Sequence, residues 1–259
     1  MENREEIVVS VIIPAHNAAA FLKQAIDSAL DQKGGFGLEV IVIDDASTDA
    51  TEEIVAGYPA KWDTPEGIRS ICYLKNEQNQ GVAETRNKGI RKAAGKYIAF
   101  LDADDWWEQG KLQKQLALME EKKAVLCGTG RLLVHADGSS TGKQIEVPDE
   151  ITYEMLLRTN SITCSSAVLL TEVAREFYMC HDELHEDYIL WLKVLQKYRK
   201  AYGINEPLVN CRQSEGGKSR NKWKSAKMHF GVYRYMKIGC LRSCYYMIHY
   251  IWNGIRKYH

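Results

Sequence analysis

The 259-residue sequence contains no run of about 18 uninterrupted apolar residues, so none of its helices is expected to cross a membrane. Its seven cysteines are odd in number and include no Cys-x-x-Cys pair, which argues against a zinc ribbon or dithiol centre and for free thiols in a reducing compartment. Net charge is also missing: 34 basic and 34 acidic residues cancel, so binding to nucleic acid through bulk charge is not expected. Met1 to Glu6 is polar and acidic and lacks the basic-then-apolar build of a signal peptide, which points to the cytoplasm. Two phosphate-binding signatures are absent as well. No Gly-x-x-x-x-Gly-Lys-Ser/Thr occurs, since Gly138 to Lys143 has the wrong spacing, and no Gly-x-Gly-x-x-Gly follows the first strand. A P-loop ATPase and an NAD dehydrogenase both lose their main warrant.

What is present alternates between two periodicities. Ile7 to Ile13 and Leu38 to Ile43 are near-continuous β-branched runs of the kind buried on both faces of a parallel sheet. Ser70 to Leu74 and Tyr97 to Leu101 read as further strands. Between them lie amphipathic helices: one with Phe21, Leu22, Ala25, Ile26, Ala29 and Leu30 on a face, with Asn17 as its expected cap, and one over Val82 to Ala94, with Gly95 as its expected stop. Asp49 and Glu52 resemble a capping box for the helix between. The pattern predicts an α/β, doubly wound, mostly parallel sheet, with ligands outside the carboxyl ends of its strands. The second half is less regular. Strand character is expected over Ala124 to His135 and Ile162 to Leu170, a turn at Ala136 to Ser140, a helix over Glu186 to Tyr198, and a hinge at Gln213 to Gly217.

Three polar clusters end the predicted strands: Pro14-Ala15-His16-Asn17, Asp44-Asp45 and Asp102-Ala103-Asp104-Asp105. Asp102 and Asp104 lie two residues apart in extended chain and so share a side. With Asp105 they would repel one another unless a cation shared them. A small set of hard oxygen ligands suits Mg²⁺ or Mn²⁺ held jointly with substrate phosphates.

Four motifs in order, Ser10 to Asn17, Val40 to Asp49, Asn79 to Gly89 and Gly95 to Asp105, resemble the inverting family 2 glycosyltransferases with the GT-A fold. A weaker fifth, His185-Glu186-Asp187-Tyr188-Ile-Leu-Trp191, is similar to the family segment that supplies the catalytic base. The resemblance covers about residues 8–220 and implies a nucleotide-sugar half near 7–105 and an acceptor half near 106–215; the basic, aromatic tail over 216–259 is outside it. It implies that Pro14, His16, Asn17 and Asp45 hold the base and ribose of a nucleotide sugar, UDP-linked by expectation. Arg86 would sit near the nucleotide, Asp102 near the ribose, and Asp104 on the metal. Asp187 would take the proton of an acceptor hydroxyl on a glycan or lipid-linked glycan, in surface polysaccharide synthesis.

The family usually has Tyr where this chain has His16. An imidazole there either stacks on the base or is an ordinary loop histidine whose charge varies near neutral pH. Asp187 could alternatively be a helix-start acid favoured by the dipole. Trp106 and Trp107 could line the sugar or acceptor site or belong to the core. Two other functions stay open at this level: a metal-dependent nucleotidyltransferase and a non-catalytic nucleotide-sugar binding module. The first usually needs a Gly-rich basic loop after the first strand, which this sequence lacks; the second is disfavoured by the presence of both Asp104 and Asp187. The tail, Gly216 to His259, has 10 basic residues and no acid, leaving 24 basic and 34 acidic residues in the body. Nine aromatic residues are interleaved with those charges, a composition suited to a peripheral helix on the anionic, cytoplasmic face of a membrane. Packing against the acidic body or a second subunit is the alternative.

Overall fold

A computed structural model describes residues 6–213 and 222–258, with the side chains of residue 222 and residues 255–258 excluded. Most of the expected hinge at Gln213 to Gly217, from Ser214 onward, lies outside the described residues. The first half runs β1 (Ile7–Ala15), α1 (Leu22–Leu30), β2 (Gly37–Asp44), α2 (Thr51–Ala56), β3 (Lys61–Thr64), β4 (Gly67–Lys75), α3 (Val82–Lys92) and β5 (Tyr97–Phe100). The second half begins with β6 (Trp106–Trp107), α4 (Lys111–Lys122), β7 (Leu126–Val134), β8 (Ser140–Ile145), β9 (Glu150–Thr152) and α5 (Tyr153–Arg158). It continues with β10 (Val168–Leu170), α6 (Thr171–Phe177), α7 (Glu186–Tyr198) and β11 (Lys200–Arg212), then the tail helices α8 (Lys222–Tyr235) and α9 (Cys240–Tyr258).

One sheet carries the fold, in the order β3-β4-β2-β1-β5-β10-β7-β11-β6. The pairs β4/β2, β2/β1 and β1/β5 are parallel, so the carboxyl ends of four neighbouring strands emerge on one edge. β10 then runs antiparallel to both β5 and β7. All eight residues of β2 are buried, as expected of a strand built round the apolar run Val40 to Ile43. The period of two divides the core cleanly. Ile12, Ile41, Ile43 and Phe100 pack on one side with Ile90 and the buried face of α7. Val11, Ile13, Val40 and Val42 pack on the other with Leu22 and Ile26 of α1 and Leu112 of α4.

Four local expectations are corrected. Asn17 does not cap α1, whose N-cap is Phe21 with no side-chain hydrogen bond; Asn17 sits at φ 51° with its Oδ1 accepting from the Thr48 amide at 2.9 Å. Asp49 and Glu52 form no capping box, because Asp49 accepts from Thr51 and the Ala19 amide while Glu52 pairs with Lys75. α3 ends at Lys92, before Gly95. Gly95 is needed for another reason: a Cβ there would lie 2.8 Å from the Ser10 amide nitrogen of β1. The Ile162 to Leu170 stretch is also only partly extended, with a 3-10 turn at Cys164–Ser166 before β10. All seven cysteines are free thiols.

Candidate active site

The parallel strand ends bring the sequence-marked clusters to one edge. At the end of β1, Pro14 is still paired in the sheet and His16 is exposed, its Nδ1 donating to the Asp45 carbonyl oxygen at 2.8 Å. Asn17, bonded to Thr48 by its side chain and to Ser47 Oγ by its amide, laces this loop to the one after β2. Ala46, Ser47 and Thr48 of that second loop, with Lys75 at the end of β4 and Asn76 and Glu77 beyond it, line a cavity of about 400 Å³.

Asp45 is buried, and both its oxygens are engaged within the protein. Oδ1 accepts from Asn76 Nδ2 and the Gln80 amide, each at 2.8 Å, and Oδ2 from the Gly81 amide at 3.0 Å. Asp44 is similarly taken up by the Ser47 amide and the Tyr73 hydroxyl. Both acids therefore act as braces for the cavity's walls, a role invisible in the Asp-Asp motif alone.

The acids after β5 divide into different environments. Asp105 is buried, accepting from Ser165 Oγ at 2.6 Å and the Arg212 amide at 2.9 Å. Burial and the charges of Asp102 and Asp104 push its carboxyl up. Arg212 closes the loop from the far end of β11. Its Nε donates to the Asp104 carbonyl oxygen at 3.0 Å and its guanidinium lies 4.3 Å from the centre of the Phe21 ring. Trp107 belongs to the core, its Nε1 donating to the Ser165 carbonyl, while half-buried Trp106 lies against Arg212.

Asp104 is different. Among the described residues, its carboxylate accepts no hydrogen bond from another residue, and burial followed by the Asp102 charge raises it from 3.8 to about 6. A carboxylate made uncomfortable in this way fits a cation. No three His, Cys, Asp or Glu side chains among the described residues converge into a metal cage. The donor set on offer is thus one or two carboxylates, the set that suits Mg²⁺ or Mn²⁺ when substrate phosphates complete the coordination.

Arg86 joins this edge to the second half of the chain. It is buried, with NH2 2.5 Å from Asp102 Oδ1 and NH1 2.8 Å from Glu186 Oε1. Burial opposes its charge, yet Cys164, Asp102, Glu186 and Asp187 around it hold the guanidinium well above its usual range. The next residue, Asn87, exchanges two 2.8 Å hydrogen bonds with the Met179 backbone. The Thr-Arg-Asn stretch of α3 is therefore a clamp on the segment that leads into α7.

Asp187 occupies the first turn of α7, mostly buried, with Oδ1 accepting from the Tyr188 amide at 2.7 Å. Burial and then Glu186 raise its carboxyl to about 6, while His185, Arg86 and the Tyr188 amide pull the other way. Such a group is ionised at neutral pH yet a far better proton acceptor than an ordinary carboxylate. The sequence marks Asp187, Arg86, Asp102 and Asp104, and groups Asp105 with the acids that would share a cation, whereas in the fold Asp105 is taken up by Ser165 and the Arg212 amide. It gives no separate role to Glu186 and none to Arg212. The adjacency of Glu186 to Asp187 was the one available signal. Arg212 had none, being 107 residues from Asp105 in the chain.

Comparison with known proteins gives the family and the fold. The family described as glycosyl transferase family 2 matches residues 10–169. A Bacillus subtilis (strain 168) protein named for teichuronic acid biosynthesis, TuaG, is 36% identical over 251 residues, covering 96% of this chain and 97% of its own. An Escherichia coli protein named UDP-Glc:alpha-D-GlcNAc-diphosphoundecaprenol beta-1,3-glucosyltransferase, WfaP, is 33% identical over 97% of this chain and 95% of its own. Among solved structures, Staphylococcus aureus TarS in complex with UDP-GlcNAc superposes with a TM-score of 0.71 at 21% identity, over 88% of this chain. A Pyrobaculum calidifontis mannosyltransferase in complex with GDP-Man and Mn²⁺ gives 0.61 at 19%, over 90% of this chain. This chain spans 65% of the length of each of those two solved chains. The fold they share is the GT-A fold; the family match and the relatives named glycosyltransferases replace the nucleotidyltransferase and non-catalytic readings. With its carboxylates at the parallel strand ends and an Arg-tethered Glu-Asp pair opposite, the chain belongs to glycosyl transferase family 2.

Proposed function

We propose that the protein transfers a sugar from a UDP-sugar to a hydroxyl of a lipid-linked glycan, with inversion, at the cytoplasmic face of a membrane during surface polysaccharide assembly. The observation that carries this reading is the Asp102–Arg86–Glu186 chain of ion pairs, which ties the donor-side acids to the helix bearing Asp187. The 400 Å³ cavity between the β2 and β4 loops has the position and polar lining for the nucleoside, with His16, Asn17 and the Asp45-braced backbone at its edge. The acceptor class rests on the relative named for a diphosphoundecaprenol-linked substrate, and UDP on that relative and on TarS.

In the proposed reaction Asp187 accepts the proton of the acceptor hydroxyl as its oxygen bonds to the anomeric carbon. The bond to the nucleoside diphosphate breaks on the opposite face, so a single displacement inverts the centre. Asp104, with Asp102 beside it, would hold Mg²⁺ or Mn²⁺. Such an ion supplies charge stabilisation to a departing diphosphate. Glu186 and Arg86 fix the start of α7, so that Asp187 meets the acceptor in one geometry.

The test is release of UDP from UDP-glucose and UDP-GlcNAc, with Mn²⁺, in the presence and absence of a GlcNAc-diphospho-lipid. Acceptor-stimulated release is the expected result; no release from either donor, or release that ignores the acceptor, would defeat the proposal.

A further inference from the structure

We infer that the outward face of α9 is a docking surface for an anionic lipid bilayer, while the inward face of the same helix fastens it to the catalytic core. The inference rests on the lipid-linked acceptor proposed above and names the face that meets the lipid.

The inward face is spent on protein. Ser243 and Tyr246 are buried, and Tyr246 donates its hydroxyl to Glu154 on α5 at 2.5 Å. Tyr250 stacks on His229 of α8 with ring centres 3.8 Å apart, and Asn253 Nδ2 donates to the Arg158 carbonyl at 3.3 Å. The outward face is apolar too, which a helix facing only water does not need. Leu241 is 89% exposed, Tyr245 48%, Ile248 67%, Ile251 50% and Trp252 60%. Their offsets of four, seven, ten and eleven residues from Leu241 put all five on one side of the helix. A contiguous exposed stripe of this kind marks an interaction surface.

Charge selects the occupant. Lys227, Arg234, Lys237 and Arg242 are exposed on and between α8 and α9, and residues 216–259 contain no acid. Glu154, the acid beside α9, is already engaged by Arg242 and Tyr246. A second copy of the chain meeting this face in a twofold contact would set one acid-free basic tail against another. Anionic headgroups supply the missing sign, and Tyr245 and Trp252 are residue types favoured at the headgroup boundary. Among the described residues no helix is long and apolar enough to cross a membrane, so α9 would lie in the interface plane. The docking face connects to the chemistry through α8, whose Ser225 carbonyl accepts from His185 Nε2 at 3.4 Å, two residues before Asp187. A bilayer held on α9 would therefore sit at a set height relative to the base.

The experiment compares the full chain with the exposed-face variant L241S/I248S/W252S in sedimentation with phosphatidylcholine vesicles, with and without phosphatidylglycerol. The wild type should pellet with the anionic vesicles and release as salt rises, and the variant should partition roughly tenfold less or weaker. UDP release with a short-chain, water-soluble acceptor should be unchanged in the variant. Equal pelleting of the two proteins, or no wild-type pelleting, would overturn the inference. So would a wild-type dimer by light scattering that the same substitutions dissolve. If vesicle binding behaves as expected but neither protein turns over a UDP-sugar, the docking face stands and the proposed reaction falls.

Discussion

Asp187 and Asp104 are both raised to about 6, and the same shift serves two ends. As the proposed base, Asp187 would work in its ionised form, which predominates above that value. Acceptor-saturated turnover should fall about tenfold per pH unit below about 6 and level off above it. Asp187→Asn keeps the size and removes the base; turnover should drop by about 10²–10⁴-fold while UDP affinity, read by calorimetry, stays near wild type. Lost UDP affinity with normal saturated turnover would move Asp187 from chemistry to binding. For Asp104 the raised carboxyl is a cost in the absence of a cation. The folded state holds its proton more tightly than the unfolded one, so this group's contribution to stability declines as pH rises from 3.8 towards 6. Asp104→Asn should therefore melt no lower than wild type at neutral pH without ligand, yet lose the rise in melting temperature that Mn²⁺ with UDP gives the wild type. Equal stabilisation of both proteins would remove Asp104 from the metal.

At the scale of elements, two helix starts organise the site. The N-terminus of α3 is surrounded by carboxylates from elsewhere: Asp45 takes the Gln80 and Gly81 amides, and Asp182 takes the Ala83 amide at 2.7 Å. These acids satisfy donors that a helix leaves unpaired and face its positive end. Asp182→Ala should cost about 1 kcal/mol of unfolding free energy, measured by denaturant titration, because the Ala83 amide loses its acceptor. No loss would mean water replaces it freely. The first turn of α7 is the second start. Glu186 is the largest source of raised basicity at Asp187 after burial, and it also accepts from Arg86. Glu186→Gln keeps an acceptor for Arg86 but removes the negative charge, so the acid limb of turnover should move to lower pH. A limb that stays in place would show that another group sets it. Neither start was legible in full. Glu186 to Tyr198 was readable as a helix because its apolar spacing is local, as were the strands whose β-branched runs end on acids. The caps were not, because Asn17 and Asp49 look like helix-start residues but bond across to neighbouring loops, and Asp182 caps α3 from 99 residues away.

For the molecule as a whole, order along the chain revealed the candidate donor edge because four parallel strand ends, with acid clusters after β2 and β5, occur within about 100 residues, as a doubly wound sheet demands. The division of labour among Asp102, Asp104 and Asp105 depends on Arg86, Ser165 and Arg212, which reach them only in the folded chain. The tail was ambiguous for a similar reason: its aromatics read alike in sequence, whereas Tyr233 and Tyr246 are buried and Trp223 and Trp252 exposed. The proposed reaction is one displacement at an anomeric carbon, and its stereochemistry is directly observable. The 259-residue chain, Mn²⁺, a GlcNAc-diphospho-lipid and α-linked UDP-glucose or UDP-GlcNAc should yield UDP and a product whose new linkage is β by proton NMR. An α-linked product, or a lipid left unmodified by both donors, would rule out inverting transfer by this site.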